Sequence, residues 1–198
     1  MKLKYLAYLL PFIAVYFGLY LVKNAWVTTL IYHAGMLIIL TNTGLGKRLI
    51  HGWHKKWALA LIGGGLLVGI IFWILTPIIA PPSISTNISS LGLTGISLIV
   101  WAVYFSLVNP FFEEAFWRGY LLSDKKGIAG SDIFFAGYHV FVLILFIPVY
   151  WAILEFVILL SAAVLFRQCA IKTNGLVVPL LAHLTADIVV GLTIWLVL

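Results

Sequence analysis

Seven apolar runs, near residues 5–22, 25–45, 57–79, 93–122, 133–147, 149–166 and 176–197, fill almost the whole chain, with only short polar stretches between them. A helix needs roughly 20 apolar residues to cross a hydrocarbon core of about 30 Å, and runs of this length meet that need. The pattern predicts an all-α polytopic transmembrane bundle of about seven spans, eight at most. Composition agrees: 64% of the 198 residues are hydrophobic and 9% are charged. A soluble domain is about half apolar and a quarter charged, so an ordinary water-soluble protein is excluded. Residues 1–198 read as a single transmembrane domain, with no sizeable extramembrane part and no internal repeat.

Two boundaries need argument. Residues 133–166 are almost continuously apolar, and a helix that long would overshoot the bilayer. Pro148, with Tyr150 and Trp151 beside it, therefore predicts a tight hairpin at an interfacial aromatic belt. The opening Met1-Lys-Leu-Lys resembles a signal peptide, but the run from Tyr5 to Val22 ends without a small-x-small cleavage pattern and reads as a retained helix. The one cysteine, Cys169, excludes internal disulfides and reads as a small apolar filler.

The formal charge of +6 does not suggest a nucleic-acid partner, because the basic residues are scattered and form no groove-sized patch. They fit a topology signal. With the N-terminus inside, Lys2, Lys4, Lys47, Arg48, Lys55, Lys56, Lys125, Lys126, Arg167 and Lys172 fall on the inner side, as does Arg118 at a helix end, and only Lys23 lies outside. This is a strong positive-inside bias. It predicts a multi-pass cell-membrane protein with a cytoplasmic N-terminus and an outer C-terminus. The uncharged loop around residues 80–90 is outer, and its sequon at Asn87 reads as chance. Lys47-Arg48 and Lys55-Lys56 serve topology, with anionic lipid as a lesser contact. His51 and His54 read as solvated.

Ionisable residues inside apolar runs are costly in lipid and point to function. Three groups stand out. In the fourth run, Glu114 and Arg118 are four apart with the acid N-terminal, the favourable order for a helical pair. Glu113 points about 100° away, on the face shared with Asn109, without a partner in its own segment. Asn109-Pro110 is expected to kink the span, or to restart it with Asn109 as cap. In the fifth run Phe135 and His139 are one turn apart, with Gly137 between them to permit close helix approach. In the last run His183 and Asp187 share a face. Counted from the inner ends of their helices, Glu113, His139 and His183 fall about 7–10 Å deep, so the three groups are expected to converge.

A carboxylate and an imidazole in a partly dry cavity can make a water nucleophilic by sharing its proton. A second His backed by an Asp can hold its tautomer and offer a donor to an oxyanion. Such a set suits hydrolysis of an acyl bond. Glu, two His and Asp could instead bind zinc, although no His-Glu-x-x-His helix is present.

These residues resemble the CPBP intramembrane proteases, which comprise CAAX-type prenyl endopeptidases and bacteriocin-processing or immunity (Abi-like) proteins. The family's motifs appear in order as Glu113-Glu114-x-x-x-Arg118, Phe135-x-x-x-His139 and His183-x-x-x-Asp187, within about residues 93–190. The resemblance implies a glutamic-type intramembrane protease in which Glu113 and His139 activate water, while His183 and Asp187 stabilise the oxyanion or order the site. Glu114, Arg118 and Phe135 support them. It further implies a metal-free reaction without a cofactor, zinc being the lesser alternative, at a cavity toward the cytoplasmic leaflet. Asp187 stands where CAAX-type members often carry Asn, so it is either protonated or orients His183. The short chain favours a bacterial-type member acting on a peptide or protein with a hydrophobic tail.

Two other readings compete. A non-catalytic immunity-type membrane protein would bind a peptide or partner with the same motifs, and a proton-coupled transporter would show repeat symmetry. Outside the motifs, Glu155 reads as a structural acid facing the bundle interior and His33 as a hydrogen-bonding core residue. Trp117 and Tyr120 read as ordinary interfacial aromatics, and no serine or cysteine is expected beside the cluster.

Overall fold

The computed structural model describes residues 2–41, 43 and 46–197 and contains no strand among them. The end of the second expected run, at 42, 44 and 45, lies outside the described residues, as do the side chains of Lys2 and Lys4. The first run forms two helices, α1 (Lys2–Ala7) and α2 (Leu10–Val15). Pro11 has no N–H for the helical ladder, so the chain turns at Tyr8 and Leu9 and α2 restarts with proline in its first turn. It widens into a π-helical segment, Tyr16–Leu21.

Next comes α3 (Ala25–Leu40), capped by Asn24, whose side chain accepts the Val27 N–H at 3.0 Å. Then follow α4 (Gly46–Leu49), α5 (Lys55–Ile79), α6 (Ile84–Ser89) and α7 (Gly95–Glu113), which continues as a second π segment, Glu114–Tyr120. The chain ends with α8 (Gly130–Leu143), α9 (Val149–Thr173) and α10 (Val177–Val197).

The seven runs thus correspond to seven apolar helical stretches. Among the described residues four are long and apolar enough to cross a bilayer: Lys55–Ile79, Gly95–Tyr120, Val149–Thr173 and Val177–Trp195. The stretches Tyr5–Leu21, Ala25–Leu40 and Gly130–Leu143 are shorter. At 1.5 Å per residue the last extends only about 21 Å. The hairpin expected at Pro148 is present, with Pro148 as the extended cap of α9. α9 runs past residue 166 because Arg167 is buried rather than a boundary residue, and it stops at left-handed Asn174. No restart occurs at Asn109: α7 passes through Pro110, and the Asn109 side chain is engaged across the bundle instead of capping. The irregularity falls four residues later, where the helix widens.

Backbone contacts gather alternate loops at opposite ends. Leu176 and Val177 donate their N–H groups to the carbonyls of Arg48 (2.9 Å) and His51 (3.0 Å), and Arg167 binds the carbonyls of Ser123 and Gly127. At the other end Ala25 N–H donates to Leu91 O, and the Asn87 amide donates to Leu145 O. This is the alternation a polytopic bundle requires. Large apolar residues such as Leu67, Ile74, Ile153 and Val157 face outward, whereas polar ones are interior, a polarity suited to lipid. One cluster of core residues joins α2, α3, the second π segment and α8. A second joins α5, α9 and α10 around buried Cys169, a filler as expected. There α5 and α10 meet closely, since a Cβ on Gly69 would lie 2.6 Å from Val189.

Candidate active site

Glu113 ends the regular part of α7 with no exposed surface. Its Oε1 accepts the hydroxyl of Tyr32 from α3, at 2.8 Å, and that of Tyr138 from α8. Tyr32 in turn accepts the Trp117 indole N–H at 3.2 Å. Among the described residues Oε2 has no hydrogen-bond partner, and the His183 Nε2 lies 3.5 Å from it. The two oxygens of one carboxylate are therefore unequal.

Glu114 opens the π segment, whose wider turn still brings residues four apart together. Its Oε1 lies 3.0 Å from Arg118 and 2.8 Å from the His183 Nδ1. The Arg118 guanidinium also sits over the Phe135 ring, 4.1 Å from its centroid. Glu114 and Arg118 form the pair expected from their spacing, and the same acid grips His183.

His139 is fixed by the Phe135 carbonyl, 2.8 Å from Nδ1. A carbonyl only accepts, so Nδ1 carries a proton. Its Nε2 lies 3.1 Å from the Tyr138 hydroxyl, so His139 reaches Glu113 through Tyr138 rather than directly. Gly137 faces Phe12 of α2, where a Cβ would stand 3.5 Å from the ring, so the close approach it permits is with α2.

Asp187 lies one turn beyond His183, its Oδ1 3.5 Å from Nε2. Its Oδ2 accepts the Asn109 amide at 3.3 Å, and Asn109 Oδ1 lies 3.1 Å from His33 Nε2. The Tyr104 hydroxyl completes the row, 3.0 Å from His33 Nδ1. Contrary to expectation, a serine does stand beside the cluster. The Ser106 hydroxyl, however, donates to the Asp187 carbonyl at 2.9 Å.

Glu113, His183 and Asp187 thus meet directly, Glu114 and Arg118 brace them, and His139 joins through Tyr138. Phe135 supplies a carbonyl to His139 and a ring to Arg118. Among the described residues, no group of three or more His, Cys, Asp or Glu side chains has the arrangement to hold a metal ion.

Other expectations need revision. Trp117 is 1% exposed and sits in the core, not at an interface. Glu155 is partly buried on the α9 face that carries buried Ala152, and it hydrogen-bonds nothing among the described residues. Arg167, expected as a topology residue, instead forms a buried ion pair with Asp132 at 2.8 Å. Sequence reasoning missed Tyr32 and Tyr138 as partners of Glu113. Only Tyr138, next to His139, had a local signal.

This fold and cluster define a polytopic helical membrane protein with a buried carboxylate–imidazole site. Residues 95–189 match the family described as type II CAAX prenyl endopeptidase Rce1-like. This segment, just under half of the chain, is thus similar to the Rce1-like domain of a CAAX-type intramembrane protease family, consistent with the CPBP resemblance of the motifs. No curated protein and no solved structure matches the chain.

Proposed function

We propose that the protein is a glutamic-type intramembrane endopeptidase that hydrolyses a peptide bond near the C-terminus or leader of a membrane-associated peptide or protein. The observation that carries this reading is the asymmetry of Glu113: two tyrosine hydroxyls occupy Oε1, and Oε2 has no hydrogen-bond donor among the described residues. Oε2 is the oxygen free to take a proton from water. As the water oxygen bonds to the scissile carbonyl carbon, its proton passes to Oε2. On collapse of the tetrahedral intermediate the C–N bond breaks and that proton goes to the leaving amine.

His183, aimed by Glu114, presents Nε2 beside Oε2 and Asp187, where an N–H would stabilise the oxyanion. His139 acts through the Tyr138 hydroxyl to balance charge on Glu113. The inner-side bias of the lysines supports a cytoplasmic N-terminus and a site open toward the cytoplasmic leaflet.

The test uses the full chain in detergent micelles and two fluorescence-quenched peptides, one with a farnesylated cysteine four residues from its C-terminus and one unprenylated. Glu113→Ala is expected to abolish cleavage while thermal unfolding remains cooperative. Cleavage that survives in folded Glu113→Ala refutes the assignment.

A further inference from the structure

Two adjacent side chains of α3 reach two of the carboxylates in the site, one directly and one through Asn109. Tyr32 donates to Glu113 Oε1 across 81 positions of sequence, and its own oxygen accepts from Trp117. His33 reaches Asp187 through Asn109. The orientation of that relay follows from donor and acceptor rules. Asn109 must present its NH₂ to a carboxylate, which leaves its Oδ1 toward His33, so His33 Nε2 carries a proton and Nδ1 accepts from the Tyr104 hydroxyl. Every polar side-chain atom of Tyr32, His33 and Asn109 is thereby used. Both α3 residues are buried, Tyr32 at 7% and His33 at 4% exposure, and His33 is stacked on Phe112 with ring centroids 4.6 Å apart. Neither touches the free Oε2. Both also lie outside the family-matched segment 95–189.

We infer that Tyr32 and His33 are positioning residues for the hydrolysis proposed above. Tyr32 occupies Glu113 Oε1 so that Oε2 alone is left to take the proton of the attacking water, and His33 holds Asp187 beside His183 by way of Asn109. The N-terminal half of the chain thus completes a site whose motifs all lie in the other half. The inference rests on the proposed reaction and deepens it.

The experiment measures kcat, KM and unfolding temperature on the full chain with the same two peptides. Tyr32→Phe keeps the ring and removes only the hydroxyl. Its kcat is expected to fall about tenfold to a hundredfold, the worth of one hydrogen bond to a charged group, with KM changed less than about twofold. His33→Leu is expected to lower kcat similarly. His33→Gln, whose amide can donate where Nε2–H does, should recover most of the loss. Glu113-dependent cleavage with unchanged kcat in both Tyr32→Phe and His33→Leu overturns the positioning role and leaves the protease reading intact. So does a fall in unfolding temperature with unchanged kcat, which marks a purely structural contact. Cleavage of neither peptide by the wild-type chain overturns the proposed reaction, and this role with it.

Discussion

His183 Nδ1 lies 2.8 Å from Glu114 Oε1, so the imidazole that faces Glu113 and Asp187 is aimed by the second acid of the Glu-Glu pair, not by the Asp on its own helix. A carboxylate oxygen only accepts, which fixes a proton on Nδ1 and leaves Nε2 as the nitrogen turned toward the reaction. Glu114 thereby holds two cation-capable groups with one oxygen, Arg118 being 3.0 Å away.

Removing Glu114 should therefore affect folding and chemistry together. Glu114→Ala leaves Arg118, 2% exposed, without its counter-charge, and an orphaned buried charge costs about 3–5 kcal/mol. Denaturant unfolding in micelles should show that loss, while Glu114→Ala with Arg118→Met together should cost less than the sum of the two single changes. Strict additivity would argue against the pair.

The Asp132–Arg167 pair predicts a different outcome, confined to one end of the bundle. Asp132 accepts the Ala129 N–H at 2.8 Å and binds Arg167, which also gathers the carbonyls of Ser123, Lys125 and Gly127. Arg167→Met should destabilise the fold by about 3–5 kcal/mol through the stranded carboxylate. It should also loosen residues 123–127 and so speed trypsin cleavage at the exposed Lys125 and Lys126, which limited proteolysis followed by mass spectrometry would detect. An unchanged cleavage pattern would remove Arg167 from this role.

Legibility differed between these features for physical reasons. The seven helical stretches were readable because lipid imposes length and polarity on each run independently. Glu114–Arg118 was readable because its partners are one turn apart. Glu113, His139 and His183 were readable as a set because each sits in a short motif at matching depth, with Asp187 one turn from His183. Tyr32 was not, since its hydroxyl meets Glu113 only after α3 packs on α7, and an interior tyrosine on an apolar helix looks like any other. Arg167 was misread because a basic residue near a helix end carries a topology signal whether it is solvated or paired. Pro110 was expected to allow a restart, but Asn109 is drawn into the bundle by His33 and Asp187 instead of capping.

Asp187 yields a graded prediction. Its Oδ2 accepts from Asn109 and its Oδ1 faces His183 Nε2. In Asp187→Asn the side-chain oxygen can still accept from Asn109, and the amide can face His183. Cleavage is expected to stay within about tenfold of wild type, whereas Asp187→Leu, which strands the Asn109 amide, should lose about a hundredfold or more. Equal loss in both variants would mean that negative charge at this position, rather than hydrogen bonding, is required.

The entry to α10 tests whether the site depends on backbone far from the carboxylates. Gly52 adopts φ +89°, a region L side chains rarely occupy, and its absent Cβ would lie 2.6 Å from the Gly175 Cα. This contact, with the bonds from Leu176 and Val177 to Arg48 and His51, sets where α10 begins, and His183 sits on that helix. A Cβ at Gly175 would meet the His51 carbonyl, which is backbone and cannot swing aside. Gly175→Ala should therefore shift the start of α10, destabilise the fold by about 1–3 kcal/mol, and lower kcat by carrying His183 away from Glu113. Gly64→Ala, a position inside α5 with nothing within 4 Å of an added Cβ, provides the matched control, with cleavage unchanged and stability unchanged or raised by the better helix propensity of Ala. If Gly175→Ala matches that control in both measurements, the α4–α10 contact does not set the register of the site.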